Sequence, residues 1–327
     1  MAVDLRVQLG ALALPNPVMV AAGTFGYGLE FQQAARLNAL GALVTKTLTR
    51  SARPGNPPPR LVETPSGMLN AVGLQNVGLE VFLQDKLPAL AAVGIPIIVS
   101  ILGDSLDEVS QMCARLNAES AVAAIELNLS CPNLIRVKGE QNLPSTLDPS
   151  PLTPMVAQDA QATRAVVHAA RAHTTKPLIT KLSPDVTDLR PIAQAAEEAG
   201  TDALTIANTF TGMSVDPESR RSRLGTLTGG LSGPAIRPLA LYRVWRVRQA
   251  VRCPIIGVGG IVRAEDALEF FLVGATAVAV GTAHFADPAA AVKVLEGLRR
   301  ALERRRVASI HDLIGAFQEP AHDASSD

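Results

Sequence analysis

The strongest constraint on this chain is a rhythm. Eight short runs of Val, Ile, Leu and Ala recur along it, each followed by a longer segment whose apolar residues fall at helical spacing. The runs cover residues 17–22, 42–47, 96–101, 123–129, 177–182, 202–207, 254–258 and 276–281. They are apolar at consecutive rather than alternate positions, which suits strands covered on both faces, as in a parallel sheet. The intervening segments predict helices over 29–40, 77–93, 106–118, 160–173, 189–199, 234–251, 265–273 and 289–302. Asp104 or Ser105, Ser183, Ser232 and Asp287 stand where helix caps are expected, and Pro234 and Pro288 suit first turns.

Eight strands alternating with eight helices place the chain in the α/β class and predict a (β/α)8 TIM barrel. A doubly wound open sheet is the competing arrangement, because alternation alone does not prove closure. The 327 residues fit one barrel with elongated βα loops over its carboxyl-terminal face, so a single domain is expected over 1–318 and a frayed tail over 319–327. Two long connections, 48–76 and 132–159, follow strands and are expected to act as lids. The second is rich in Pro and Ser, which predicts irregular chain.

Composition excludes several classes of function. Apolar residues make up 47% and aromatic residues only 3%, the material of a large aliphatic core. Thirty Lys and Arg balance thirty Asp and Glu, which argues against nucleic-acid phosphates or an anionic membrane as partners and favours a small ligand. No stretch approaches the roughly 18 apolar residues of a membrane span, and the amino terminus carries Asp4 without a sustained apolar run. Cys113, Cys131 and Cys253 are too few for a disulfide framework or a four-thiolate iron–sulfur cluster and form no CxxC pair, which suits a reducing cytoplasm. The five histidines lack ligand spacing, so no metal is assigned.

In a barrel, the carboxyl ends of the strands share one mouth. Here those ends carry Ala22 and Gly23, Lys46 and Thr47, Ser100, Asn128 with Ser130 and Cys131, Lys181, Asn208 and Thr209, Gly259 and Gly260, and Gly281 and Thr282. The last two strands run into GVGGI (257–261) and AVGTA (279–283); either run singly suits a tight left-handed turn, but as a pair on adjacent strands their glycines expose backbone N–H groups as a cradle for phosphate. Lys181 ends the apolar run PLITKL and would place a cation where charge develops on an electron-accepting ring such as a flavin. Pairing with a structural carboxylate is the alternative for Lys181 and for Lys46. Cys131 has polar neighbours on both sides and suits a base or nucleophile, whereas Cys113 and Cys253 read as small buried hydrophobes. Asn70, Asn128, Asn133 and Asn208 supply neutral amides matched to a flat heterocycle with C=O and N–H groups, although each singly suits a turn or cap.

AAGTFGYG (21–28), TKT (45–47), GNPPPR (55–60), ETPSGMLNAVGLQN (63–76), ELNLSCPN (126–133), KLSPDVTD (181–188), ANT (207–209), TGGLSGPAIRP (228–238), IIGVGGI (255–261) and AVGTAHFADP (279–288) occur in an order that resembles the class 1 dihydroorotate dehydrogenases, over nearly the whole chain. GGLSGPAIRP and TFGYG resemble subclass 1B, the catalytic subunit of the NAD-linked enzyme.

The resemblance implies an FMN-containing barrel that oxidises (S)-dihydroorotate to orotate in pyrimidine synthesis. It implies FMN contacts at Ala22, Lys46, Thr47, Ser100, Asn128, Lys181, Ala207, Gly233, Gly259, Gly260, Gly281 and Thr282. Substrate contacts are implied at Lys46, Asn70, Ala71, Val72, Gly73, Leu74, Asn128, Asn133, Asn208 and Thr209. Cys131 matches the family's base, which takes the C5 proton while hydride leaves C6 for the flavin. A catalytic homodimer and a heterotetramer with a subunit carrying FAD and a [2Fe–2S] cluster are also implied. Absence of an amino-terminal extension is expected to separate the chain from the membrane-bound class 2 enzymes. The segment after SCPN is about fifteen residues longer than the family usually has, a length that loop entropy tolerates easily. Rival readings are a dihydropyrimidine dehydrogenase-type flavin subunit, a dihydrouridine synthase, for which a basic RNA-binding face is missing, and a non-catalytic binding barrel.

Overall fold

The computed structural model describes residues 3–31, 36–130 and 156–320. Eight parallel strands form a closed barrel: β1 (Val18–Val20), β2 (Ala42–Val44), β3 (Ile97–Ile101), β4 (Ala124–Asn128), β5 (Leu178–Lys181), β6 (Ala203–Ile206), β7 (Ile255–Val258) and β8 (Ala277–Val280). Each pairs with its neighbour in chain order. The seam is closed by β8 on β1, with Val278 opposite Val18 and Val280 opposite Val20. That seam excludes the open sheet. All eight strands fall inside the eight apolar runs, and every residue in them is buried, as strands with helices outside and side chains inside must be.

Seven of the eight predicted helical segments hold helices within a few residues of their expected ends. Residues 32–35 of the first lie outside the described residues, and Leu37–Ala39 there forms a 3-10 turn. The second passes from Leu79–Val81 through a π-helical stretch, Phe82–Lys86, into Leu87–Ala91. Ser105 caps Leu106–Asn117 by accepting from Glu108 N–H at 3.2 Å. Three expected caps are corrected: Ser183 accepts from Asp185 N–H inside its own loop, Ser232 donates to the Met68 carbonyl, and Asp287 accepts from Ala289 N–H ahead of Ala290–Arg305, which has no side-chain cap. Arg190–Glu198 starts at Leu189 with no side-chain cap, because chain geometry after β5 places the serine several residues too early.

The connection over 48–76 is more ordered than a lid of loop. It contains Leu61–Thr64 and Gly67–Asn70, which join Gly229–Ser232 and Phe210–Gly212 in a four-stranded antiparallel sheet. This sheet sits on the carboxyl-terminal face and ties the insertion after β2 to a third long insertion, after β6, that periodicity does not reveal. At the opposite end, the hairpin Val7–Leu9 with Leu12–Leu14 brings Gly10 against Asp202, just before β6.

Helices are seated on the barrel by close approach. Gly257 in β7 has no side chain because the ring of Phe270, in the helix Ala264–Leu272, occupies that space. Phe270 is 0% exposed. Phe270→Ala therefore opens a cavity on the β7 side of the core and should lower the unfolding free energy by about 3–5 kcal/mol, read as a lower urea midpoint at unchanged slope.

Candidate active site

The carboxyl ends of β1, β5, β6, β7 and β8 surround a cleft of about 520 Å³, open to solvent. Ala22, Lys181, Ala207, Asn208, Thr209, Gly233, Gly259, Gly260, Gly281 and Thr282 line it, ten of the twenty-one site residues expected from the sequence. Thr24, Ser232, Ile236 and Ala283 line it as well and were not foreseen. Thr24 and Ala283 stand within two positions of recognised residues, while Ile236 reaches the cleft only because the 3-10 turn Pro234–Ile236 folds under β7.

The glycine turns after β7 and β8 form one wall. Gly260 has φ +70, and a Cβ there would meet the Arg237 backbone and side chain. Gly233, at φ +91, lies against Gly67. The backbone N–H groups of Gly259, Gly260 and Gly281 donate to no backbone carbonyl among the described residues. Asp266, 2% exposed, fixes the turn from behind by accepting from Val262 N–H at 2.9 Å and Arg263 N–H at 3.0 Å while pairing with Arg237. The arrangement leaves free donors facing a cleft, the local requirement for holding an anionic oxygen.

A hydrogen-bonded chain of side chains crosses the mouth. Ser100 and Thr47 share a bond at 3.0 Å, and Asn128 Nδ2 donates to Thr47 Oγ1 at 2.9 Å. Ser130 Oγ donates to Asn128 Oδ1 at 2.9 Å, and Asn208 Nδ2 donates to Ser130 Oγ. Ser130 is thus the link between the amides of β4 and β6, a part its strand-end position allowed but did not assign. Each amide is oriented by a fixed partner, so its unused donors and acceptors are presented in one orientation.

Lys181 is 5% exposed, lines the cleft, and makes no hydrogen bond or ion pair through its ammonium among the described residues. Lys46 is half-buried, and its own N–H is held by the Gly26 carbonyl at 3.0 Å. Asn70 donates to the Gly230 carbonyl at 3.1 Å, and Gly230 is pressed against Thr209, which brings the β2 and β6 insertions together at the rim. Ala71 to Leu74 form a shaped turn. Asn56 Nδ2 donates to the Ala71 carbonyl at 3.1 Å, Asn76 Nδ2 donates to the Leu74 carbonyl at 2.7 Å, and Leu74 itself has φ +57. Lys46, Thr47, Asn70, Ala71, Val72, Gly73, Leu74, Ser100 and Asn128 are not on the cleft's lining.

Cys131 and Asn133 lie outside the described residues, as does most of the long connection after β4. The other two thiols are unsuited to acid–base work: burial pushes both Cys113 and Cys253 up to about 12. No cluster of metal-ligating side chains occurs among the described residues, and no helix among them is long and apolar enough to cross a membrane.

Glycine turns with free backbone donors, a buried lysine without a partner among the described residues and a rim of oriented amides share one barrel mouth, where barrel enzymes build their active sites. The family model for dihydroorotate dehydrogenase matches residues 4–302, and the chain belongs to that family of oxidoreductases. Among its relatives, the catalytic subunit of dihydroorotate dehydrogenase B (NAD(+)) from Trichlorobacter lovleyi is 51% identical, covering 96% of this chain and 98% of that one. The same subunit from Geotalea uraniireducens is 49% identical over 96% of this chain and 98% of its own. A dihydroorotate dehydrogenase from Eimeria tenella, solved in complex with ferulenol, superposes with a TM-score of 0.75 at 25% identity, covering 97% of this chain and 89% of that one. The motif resemblance to subclass 1B agrees with these relatives.

One buried histidine flanks the glycine wall. His284 follows β8, is 5% exposed, meets the Phe25 ring edge-on at 4.7 Å, and among the described residues makes no ring hydrogen bond of good geometry, its nearest polar neighbour being the Gly281 backbone. Burial pulls it down from 6.5 to about 4, so it is neutral in the folded chain at pH 7. Between those values the unfolded chain takes up a proton that the folded chain refuses. The stability is therefore complete above pH 6.5 and declines as pH falls toward 4, by ~3 kcal/mol at the limit. His284→Leu should flatten that part of the stability–pH curve, measured by urea unfolding at several pH values.

Proposed function

We propose that this chain is the catalytic subunit of an NAD-linked dihydroorotate dehydrogenase, oxidising (S)-dihydroorotate to orotate in pyrimidine synthesis with FMN in the barrel mouth. The observation that carries this reading is the presence, on the same cleft, of free backbone donors at Gly259, Gly260 and Gly281 and of a buried Lys181 with no partner among the described residues. One end of the cleft suits a phosphate and the other a ring that gains negative charge, as FMN requires. When bound, FMN supplies the acceptor for the hydride that leaves C6 of the substrate.

The chain's own residues account for the rest. Gly259, Gly260, Gly281 and Thr282 hold the phosphate through backbone N–H groups, while Ala22, Ala207 and Gly233 give close contact without bulk. Thr47, Ser100 and Asn128 present their hydrogen-bonded chain to the ring edge. Lys181 places a fixed cation beside it. Lys46 holds the substrate carboxylate, and Asn70 to Leu74, Asn128, Asn133, Asn208 and Thr209 orient the pyrimidine ring by its C=O and N–H groups. Cys131 takes the proton from C5, a role supported by its place directly after Ser130, which is bonded into the amide rim. Electrons leave through a partner subunit carrying FAD and a [2Fe–2S] cluster to NAD, within a cytoplasmic heterotetramer built on a homodimer of this chain.

The purified protein should be yellow and bleach on addition of dihydroorotate but not of dihydrouracil. Cys131→Ala should retain FMN yet slow its reduction by about 10²- to 10⁴-fold, the usual worth of a positioned base, and an unchanged stopped-flow rate would refute that role. Lys181→Ala should make the bound flavin harder to reduce, read as a more negative midpoint potential.

A further inference from the structure

The barrel interior holds a carboxylate that the reaction above leaves unused. Glu126 lies on β4, two residues before Asn128, and is 2% exposed. Its Oε2 accepts a 3.0 Å hydrogen bond from the Thr205 hydroxyl on β6, while Oε1 has no hydrogen-bond partner among the described residues. The other buried carboxylate among the described residues, Asp266, is fully engaged by Arg237 and two backbone N–H groups. Burying a carboxylate is costly unless a charge or a full set of donors compensates it, and Glu126 has only one hydroxyl.

Register shows what compensates it. β4 and β6 are separated by β5, so the bond from Thr205 to Glu126 passes over the face of β5. On β5, Lys181 is the Cα partner of both Asn128 and Thr205, and Ile179 is the partner of Glu126. Residues in register on parallel strands point to the same side, and Lys181 faces the barrel mouth. Glu126 and Thr205 therefore share the interior with Lys181, the carboxylate one layer below the ammonium. The carboxylate's hydrogen bond goes to Thr205 rather than to the lysine, which leaves the ammonium directed at the cleft.

We propose that Glu126 is the counter-charge of Lys181, so that the pair rather than the lysine alone sets how strongly the mouth favours negative charge on the bound ring. The inference rests on the flavin reading above and deepens it. A lone buried cation would stabilise the reduced ring strongly and retain its electrons. A carboxylate held behind it in a medium of low dielectric offsets part of that field and keeps the ring able to pass electrons onward. Thr205 is the strut that stops the carboxylate from collapsing onto the lysine.

Glu126→Gln keeps the shape and an acceptor for Thr205 but removes the charge. At pH 7 it should move the midpoint potential of the bound flavin in the positive direction. It should also tighten sulfite binding, read from loss of the yellow absorbance, by about tenfold, the scale of one charge removed at an effective dielectric of about 20. Glu126→Leu, which needs no acceptor, should act in the same direction and serves if the glutamine variant does not fold. Thr205→Val, which removes the strut's hydroxyl and leaves the charge, should change sulfite affinity by less than the glutamate variants do. Flavin-loaded variants with unmoved potential and sulfite affinity, or a Thr205→Val effect equal to that of Glu126→Gln, overturn the counter-charge while leaving the proposed function intact. A wild-type protein that binds no flavin overturns both.

Discussion

Parallel register around a closed ring is the constraint on which the rest of this molecule depends. Once β8 pairs with β1, all eight strands must end on the same face, and residues far apart in sequence become neighbours at one level. Lys181 stands opposite Asn128 on one side and Thr205 on the other because two parallel ladders require it. A shift of register on any one strand would exchange interior for exterior side chains and scatter the amide chain that runs from Ser100 to Asn208. The four-stranded sheet over the mouth then exploits that level surface, joining insertions from opposite sides of the ring.

The charge distribution inside the ring is sparse and directional. A chain with no net charge overall places a buried lysine, a buried glutamate and free backbone donors within one interior. Backbone donors cost nothing to hold in place, because glycine turns pinned by Asp266 cannot relax toward other acceptors. The amide rim is similarly held by side-chain bonds, so its recognition groups are oriented before a ligand arrives.

Much of the scaffold was legible beforehand, because a strand buried on both faces leaves an uninterrupted apolar run that little else produces. All eight runs are strands. The caps were less legible. Ser105 is a cap and Ser183 is not, since capping depends on where a helix starts and a serine after a strand can equally close its own turn. The sheet strands of the β6 insertion, such as Phe210–Gly212 and Gly229–Ser232, are too short and too polar to show periodicity, and they exist because they have Gly67–Asn70 to pair with. Ser130 was visible as a polar strand end, but its role as the link between two asparagines depends on β4 and β6 standing on either side of β5 with their ends at one level.

By itself the sequence determined the alternation, and with it the strands, the helices and the list of polar residues at strand ends, because each follows from hydrophobic periodicity within a few tens of residues. It also carried the family, through motifs whose order spans the chain. Only the tertiary structure decided that the barrel closes, that the β2 and β6 insertions share one sheet, and that Glu126 lies beneath Lys181. Those are pairings between residues distant in sequence, and no local pattern records which partner a buried strand or a buried charge will meet.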